Sequence, residues 1–87
     1  MEIAKIKIKN PGGLHLRPAA KVVQCAKKFQ SKTLICHNCK SADSCSIVDV
    51  VSLGVSQDGD IAVIAEGPDE KQARREIVEL FSEGAGI

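Results

Sequence analysis

The stretch Pro11-Gly12-Gly13-Leu14-His15-Leu16-Arg17-Pro18-Ala19-Ala20 is where the chain changes period. Before it, Ala4, Ile6 and Ile8 alternate with Lys5, Lys7 and Lys9. That period of two predicts a strand with one dry face and one basic face. Beyond it, from Leu16 to about Phe29, Ala19, Val22, Val23, Ala26 and Phe29 recur at helical spacing. Asn10 to Gly13 is the expected turn. Pro18 falls in the first turn of the helix, where its missing N–H would be unpaired anyway. Free N–H groups and the positive end of the helix dipole therefore gather beside His15. Such a place suits an anion, and phosphate above all.

Downstream, the pattern is again readable. Thr33 to Cys36 is a short strand, Asn38 sits at a hairpin turn, and a polar strand runs from about Lys40 to Asp43. Ser46-Ile47-Val48-Asp49 is a capping-box variant that opens a helix of about two turns, closed by Gly54. Ile61 to Ala65 is nearly all apolar, as for an interior strand. Gly67-Pro68-Asp69 opens the last helix, with Asp69 and Gln72 at capping-box spacing. Its inner stripe is Ala73, Ile77, Leu80 and Phe81, and Gly84 and Gly86 end it. The order is β-α-β-β-α-β-α. The economical packing is an α+β fold, a four-stranded, mostly antiparallel sheet with three helices on one face.

Eighty-seven residues make one domain, 1–87. With two Phe and no Trp or Tyr there is no aromatic platform for stacking bases, which argues against nucleic acid. No apolar run approaches the roughly 20 residues of a membrane span, and the N-terminus lacks a signal peptide's apolar stretch. A cytoplasmic monomer is expected, with the four cysteines reduced. The net charge of +1 hides an asymmetry. Residues 1–40 hold nine Lys/Arg and one acid, whereas residues 41–87 hold three Lys/Arg and ten acids. A basic field around His15 and Arg17 would steer an acidic surface or a phosphoryl group toward the histidine. Charges merely spread over a solvated surface would give the same count.

A histidine can take a phosphoryl group on an unprotonated ring nitrogen. The helix N-terminus and Arg17 both favour the neutral ring. Arg17 and the helix amides could then bind the phosphoryl oxygens. No second His, Asp or Glu lies nearby in sequence to make a hydrolytic set. Transfer would rest on alignment and charge stabilisation, with the partner supplying the rest and no cofactor required.

The string Gly13-Leu14-His15-Leu16-Arg17-Pro18-Ala19-Ala20 resembles the signature of the HPr/NPr family, histidine phosphocarriers of the bacterial phosphoenolpyruvate-dependent phosphotransferase system. Ser46-Ile47-Val48, Ser52-Leu53-Gly54 and Glu66-Gly67 also look like family positions at the family's spacing. The resemblance covers the whole chain and implies an HPr-like open-faced β-sandwich. It implies that Enzyme I, charged by phosphoenolpyruvate, phosphorylates His15 on Nδ1, and that the group passes to IIA domains of sugar permeases or of a regulatory branch. It implies Arg17 as the phosphoryl-stabilising residue. Leu16, Ala20, Ile47, Val48 and Val51 would form an apolar docking patch beside Lys27, although the helical stripe places Val51 inside.

Ser46 reads first as an N-cap worth about 1 kcal/mol. The resemblance adds a regulatory phosphorylation site for an HPr kinase/phosphorylase. Asp49 departs from the family, where the position is usually small or apolar, and bears on how the patch meets acidic partners. Gly67-Pro68-Asp69 and Leu80-Phe81 are similar to the nitrogen-regulatory branch, which keeps a paralogue role open.

Cys36-His37-Asn38-Cys39 is a C-x-x-C at a hairpin turn, with Cys45 following and Cys25 on the first helix. Cys36, His37, Cys39 and Cys45 are soft ligands that could serve a metal or redox module. No second C-x-x-C or H-x-x-x-H supplies the rest of a zinc set, so reduced thiols are expected.

Overall fold

A computed structural model describes residues 1–9 and 11–82 of the chain. Its elements are β1 (Glu2–Lys7), α1 (Leu16–Ala26), β2 (Lys32–His37), β3 (Lys40–Asp43), α2 (Ile47–Ser52), β4 (Asp60–Glu66) and α3 (Glu70–Ser82). The strands form one sheet in the order β1-β4-β2-β3, with every neighbouring pair antiparallel. The apolar run at 61–65 takes the interior position between β1 and β2, where both edges are hydrogen-bonded. Alternation decides which face is dry. Ala4, Ile35, Ala42, Ile61, Val63 and Ala65 point under the helices, and each is buried.

The helices fill that face. Ala19, Val22, Val23 and Ala26 of α1, Val50 of α2 and Ala73, Ile77 and Phe81 of α3 are buried. Complete burial of side chains such as Val22, Ile77 and Phe81 stabilises the fold by about 2 kcal/mol each before entropy is counted. Opposite lies the uncovered face, where Lys5, Ala62 and Cys36 form one cross-strand row and Ile3, Ile64 and Leu34 the next.

Several expectations need correction. Helix α1 stops at Ala26 rather than near Phe29, and Phe29 packs half-buried beyond the cap at Lys27. Lys27 and Lys28 turn out of the helix with amides bonded to Val23 and Cys25 carbonyls, so the chain can reach β2. Only half of the box at Ser46 forms. Its hydroxyl accepts the Asp49 amide at 3.4 Å, but its own amide donates to the Asp43 carbonyl at 3.0 Å.

The Asp69–Gln72 box is replaced altogether. Asp69 accepts from the Gln30 and Ser31 amides and from the Ser31 hydroxyl, clamping the start of β2 to α3. Glu70 closes the helix start instead, accepting the Gly67 amide at 3.1 Å. The predicted turn residue Asn10 and the terminal Gly84 and Gly86 lie outside the described residues.

The charge asymmetry does not fold into a single field. Arg17 and Lys21 lie exposed on α1 and Lys27 and Lys28 just beyond its end, whereas Lys5, Lys7 and Lys32 lie exposed on strands. On the strands acids interleave with them: Lys7 sits opposite Asp60, and Lys32 opposite Glu66.

Candidate functional site

Building of the site begins with two glycines. Gly12 and Gly13 both adopt positive φ, 82° and 74°, a region costly for side-chain-bearing residues. The turn they make drives Leu14 into the core, where it is 3% exposed, and joins its amide to the Val55 carbonyl at 2.9 Å. Two further bonds tie the neighbouring loop to the end of β1: Ile8 N–H to Gly59 O at 2.8 Å and Asp58 N–H to Ile8 O at 2.6 Å. His15 is thereby pinned from behind and exposed in front.

His15 occupies the N-cap position of α1, with φ −88° and ψ −169°, and its side chain makes no capping bond. The imidazole leans toward Gly12, where an added Cβ would meet its Cδ2 at 3.3 Å. The first intrahelical bond is Ala19 N–H to His15 O at 3.0 Å. The amides of Leu16 and Arg17 therefore remain unbonded among the described residues, and Pro18 has no amide to satisfy. The result is an exposed nitrogen nucleophile beside unpaired N–H donors at the positive end of an 11-residue helix. Arg17 is exposed in the first turn and free to close over an anion.

Apolar side chains on α1 and α2 are exposed in a way a solitary domain does not need. Leu16 is 63% exposed, Val48 69% and Val51 36%. Ala20 and Ile47 are half-buried. The expectation that Val51 points inward is overturned, because Val50 takes the inward position on α2. Lys27 and Asp49 are exposed. Helices α1 and α2 pack together, which brings both groups of residues to the helical side of the sheet.

The cysteines divide. Cys25 is buried, in line with its expected partial burial on α1, and burial pushes its thiol above the usual range while Lys28 lowers it. Cys36, His37 and Cys39 line one cavity on the open sheet face, whereas Cys45 is exposed on the turn before α2. Among the described residues no group of three or more His, Cys, Asp or Glu is placed to hold a metal ion. His37 is engaged in structure: Nδ1 lies 2.7 Å from the Asp60 carbonyl oxygen and Nε2 3.2 Å from Asn38 Nδ2.

An exposed histidine at a helix start with unbonded amides, and exposed apolar side chains on the same helix and its neighbour, suits transfer between proteins. This is the class of the histidine phosphocarriers. Residues 3–83 match the family model described as PTS-HPr, the PTS HPr component phosphorylation site. Phosphocarrier protein HPr of Buchnera aphidicola subsp. Acyrthosiphon pisum is 42% identical over 79 residues, covering 91% of this chain and 93% of that one. The fold matches HPr-C-His from Thermoanaerobacter tengcongensis with a TM-score of 0.95 and 41% identity, over 100% of this chain and 98% of that one. It matches an HPr dimer from the same organism with a TM-score of 0.80 and 41% identity, over 100% of both chains. The chain belongs to the HPr family, the phosphocarriers of the phosphotransferase system. No described helix is long and apolar enough to cross a membrane.

Proposed function

We propose that His15 is the phosphoryl acceptor, taking the group from Enzyme I on its Nδ1 nitrogen and giving it to a IIA domain. The observation that carries this reading is the exposed His15 side chain at the start of α1, uncommitted to a cap and flanked by unbonded amides. The arriving group adds roughly two negative charges. The Leu16 and Arg17 amides, the helix dipole and the Arg17 guanidinium hold those charges. No Asp, Glu or second His neighbours His15 in the sequence to act as a base for hydrolysis of the bond. The partner completes the in-line geometry, so transfer rests on alignment.

Leu16, Ala20, Ile47, Val48 and Val51 form the docking patch, with Lys27 at its rim. The exposure of Leu16 and Val48 supports this, since an apolar patch beside a reactive group marks a surface for partners. Asp49 sets one carboxylate in this surface and disfavours partners that are acidic opposite it.

Ser46 is the regulatory site, for an HPr kinase/phosphorylase. Its hydroxyl caps α2 through the Asp49 amide, and a phosphate there would add charge next to the patch. The protein works in the cytoplasm, as a monomer during transfer, since both protein partners need the same face. A paralogue with a regulatory role alone would have no use for the exposed nucleophile. The test is a relay: with phosphoenolpyruvate and Enzyme I present, a IIA domain becomes phosphorylated only when this chain is added. Phosphorylation of IIA at the same rate without the chain contradicts the proposal.

A further inference from the structure

The two glycines before α1 do different work. Gly13 is buried against the backbone of Val55 and Ser56, so it serves the fold. Gly12 is exposed. Among the described residues beyond its chain neighbours, the only atoms within 4 Å of a Cβ added there belong to the His15 ring: Cδ2 at 3.3 Å and Nε2 at 3.8 Å. The imidazole therefore lies over the side of Gly12 from which a side chain would project.

This contact orients the ring. In an imidazole Cδ2 and Nε2 share one edge, and Nδ1 lies across the ring from Cδ2. Nδ1 is farther than 4 Å from the same point. The Cδ2–Nε2 edge thus faces the loop, and Nδ1 is held clear of it. Little else restrains the side chain. It is exposed and makes no capping bond, and the outer torsion of a histidine is broad and roughly two-fold.

A methyl group at 3.3 Å is tighter than ordinary contact, so either the ring or the loop must give by a few tenths of an ångström. The loop is tied, because the Leu14 amide is bonded to the Val55 carbonyl at 2.9 Å and Gly13 packs against the same backbone. The ring is the part free to move. A side chain at position 12 would therefore cost the fold only the penalty of its left-handed φ of 82°, while shifting the nucleophile.

We propose that Gly12 is a positioning residue for phosphoryl transfer: bare of a side chain, it lets the His15 ring settle against the loop with Nδ1 presented to a docked partner. The inference rests on His15 as the acceptor, and Gly12 acts through the ring. In the accepting step the Nδ1–P bond forms as the donor's bond to phosphorus breaks, its electron pair leaving on the donor. In the donating step the Nδ1–P bond breaks in the same manner. Both steps need Nδ1 aligned with phosphorus, so one seat serves both. Misplacement by about 1 Å can slow such a step about 100-fold, and a few tenths of that should slow it about fivefold.

The test mixes pre-phosphorylated Enzyme I, from limiting to saturating excess, with the parent chain, Gly12→Ala or Gly54→Ala, and follows labelling of His15 by rapid quench. Gly54 also has positive φ, 66°, with nothing within 4 Å of an added Cβ, so Gly54→Ala controls for strain and should keep the parent rate. Gly12→Ala should remain about fivefold slow at saturation, with an unchanged half-saturating concentration of Enzyme I. The docking variant Leu16→Glu should show the opposite split and recover at saturation. The proton shifts of the His15 ring should move in Gly12→Ala and stay in place in Gly54→Ala. A parental rate at saturation in Gly12→Ala would overturn the proposal, and so would an equal loss in Gly54→Ala. A Gly12→Ala chain that melts well below Gly54→Ala would place the role in the fold and overturn it too. A parent chain that carries no label on His15 would remove the acceptor reading itself, and this inference with it.

Discussion

Gly13 lies so close to Val55 that a Cβ on it would stand 2.1 Å from the Val55 carbonyl oxygen. That oxygen accepts the Leu14 amide, so the loop before α1 is fixed by backbone against backbone. Gly13→Ala cannot be relieved by turning a side chain. It combines a left-handed penalty with an overpacked contact, and a loss of about 2–4 kcal/mol is expected. Gly54 is the control, because it too has positive φ, 66°, but nothing within 4 Å of an added Cβ. Gly54→Ala should cost only about 1 kcal/mol. Denaturant unfolding of both variants checks this, and equal losses would refute the Val55 contact as the cause.

Acid should weaken the Ser31–Asp69 clamp. Hydrogen bonds from Ser31 foremost, then from the Gln30 amide, hold the Asp69 carboxyl below its ordinary value of 3.8. A lowered folded-state value means that the stabilisation is complete above that ordinary value and is lost as pH falls through the folded one. Asp69→Asn should therefore lower the melting temperature at about pH 7, and the gap to the parent should close toward about pH 2. A gap that stays constant over that range would show that the carboxylate charge is not what matters.

Two buried hydroxyls can be removed with profit to stability. Thr33 Oγ1 and Ser44 Oγ have no hydrogen-bond partner among the described residues, although Thr33 is 1% exposed and Ser44 fully buried. Thr33→Val keeps the shape and discards the unpaired donor, so it should stabilise the fold by about 1 kcal/mol. A chemical-denaturation midpoint that falls rather than rises would mean the hydroxyl is satisfied in solution.

The docking patch makes a kinetic prediction. Leu16→Glu or Val48→Glu changes an exposed side chain and should alter stability by no more than about 0.5 kcal/mol. Each should slow phosphorylation by Enzyme I at least about tenfold, the effect of losing about 1.4 kcal/mol at a contact. Stopped-flow or quench measurements at limiting Enzyme I read this directly. Unchanged rates in both variants would place the docking surface elsewhere.

Much of this molecule is legible before folding. The switch from period two to helical period around Gly12-Gly13 places His15 at a helix start, and the apolar run at 61–65 places β4 inside the sheet. What local pattern cannot convey is where a polar side chain finds its partner. Asp69 and Gln72 have the spacing of a capping box, yet Asp69 reaches Ser31, 38 residues away, because the start of β2 has unpaired amides to offer. Ser46 forms only one arm of its box because the Asp43 carbonyl takes its amide. Val51 looks inward by stripe, but a six-residue helix has room for one buried side chain, and Val50 fills it. The basic half of the sequence divides between α1 and the strands because alternation along β1 sends Lys5 and Lys7 to the open face.

The most direct measurement is phosphorylation of the full chain by phosphoenolpyruvate and Enzyme I, followed by mapping of the phosphoryl group. A single acid-labile, base-stable phosphoryl group on His15, absent in His15→Ala although that variant still folds, is the expected result. An equally phosphorylated His15→Ala, or a group mapped to any other residue, would contradict the assignment of His15 as the acceptor.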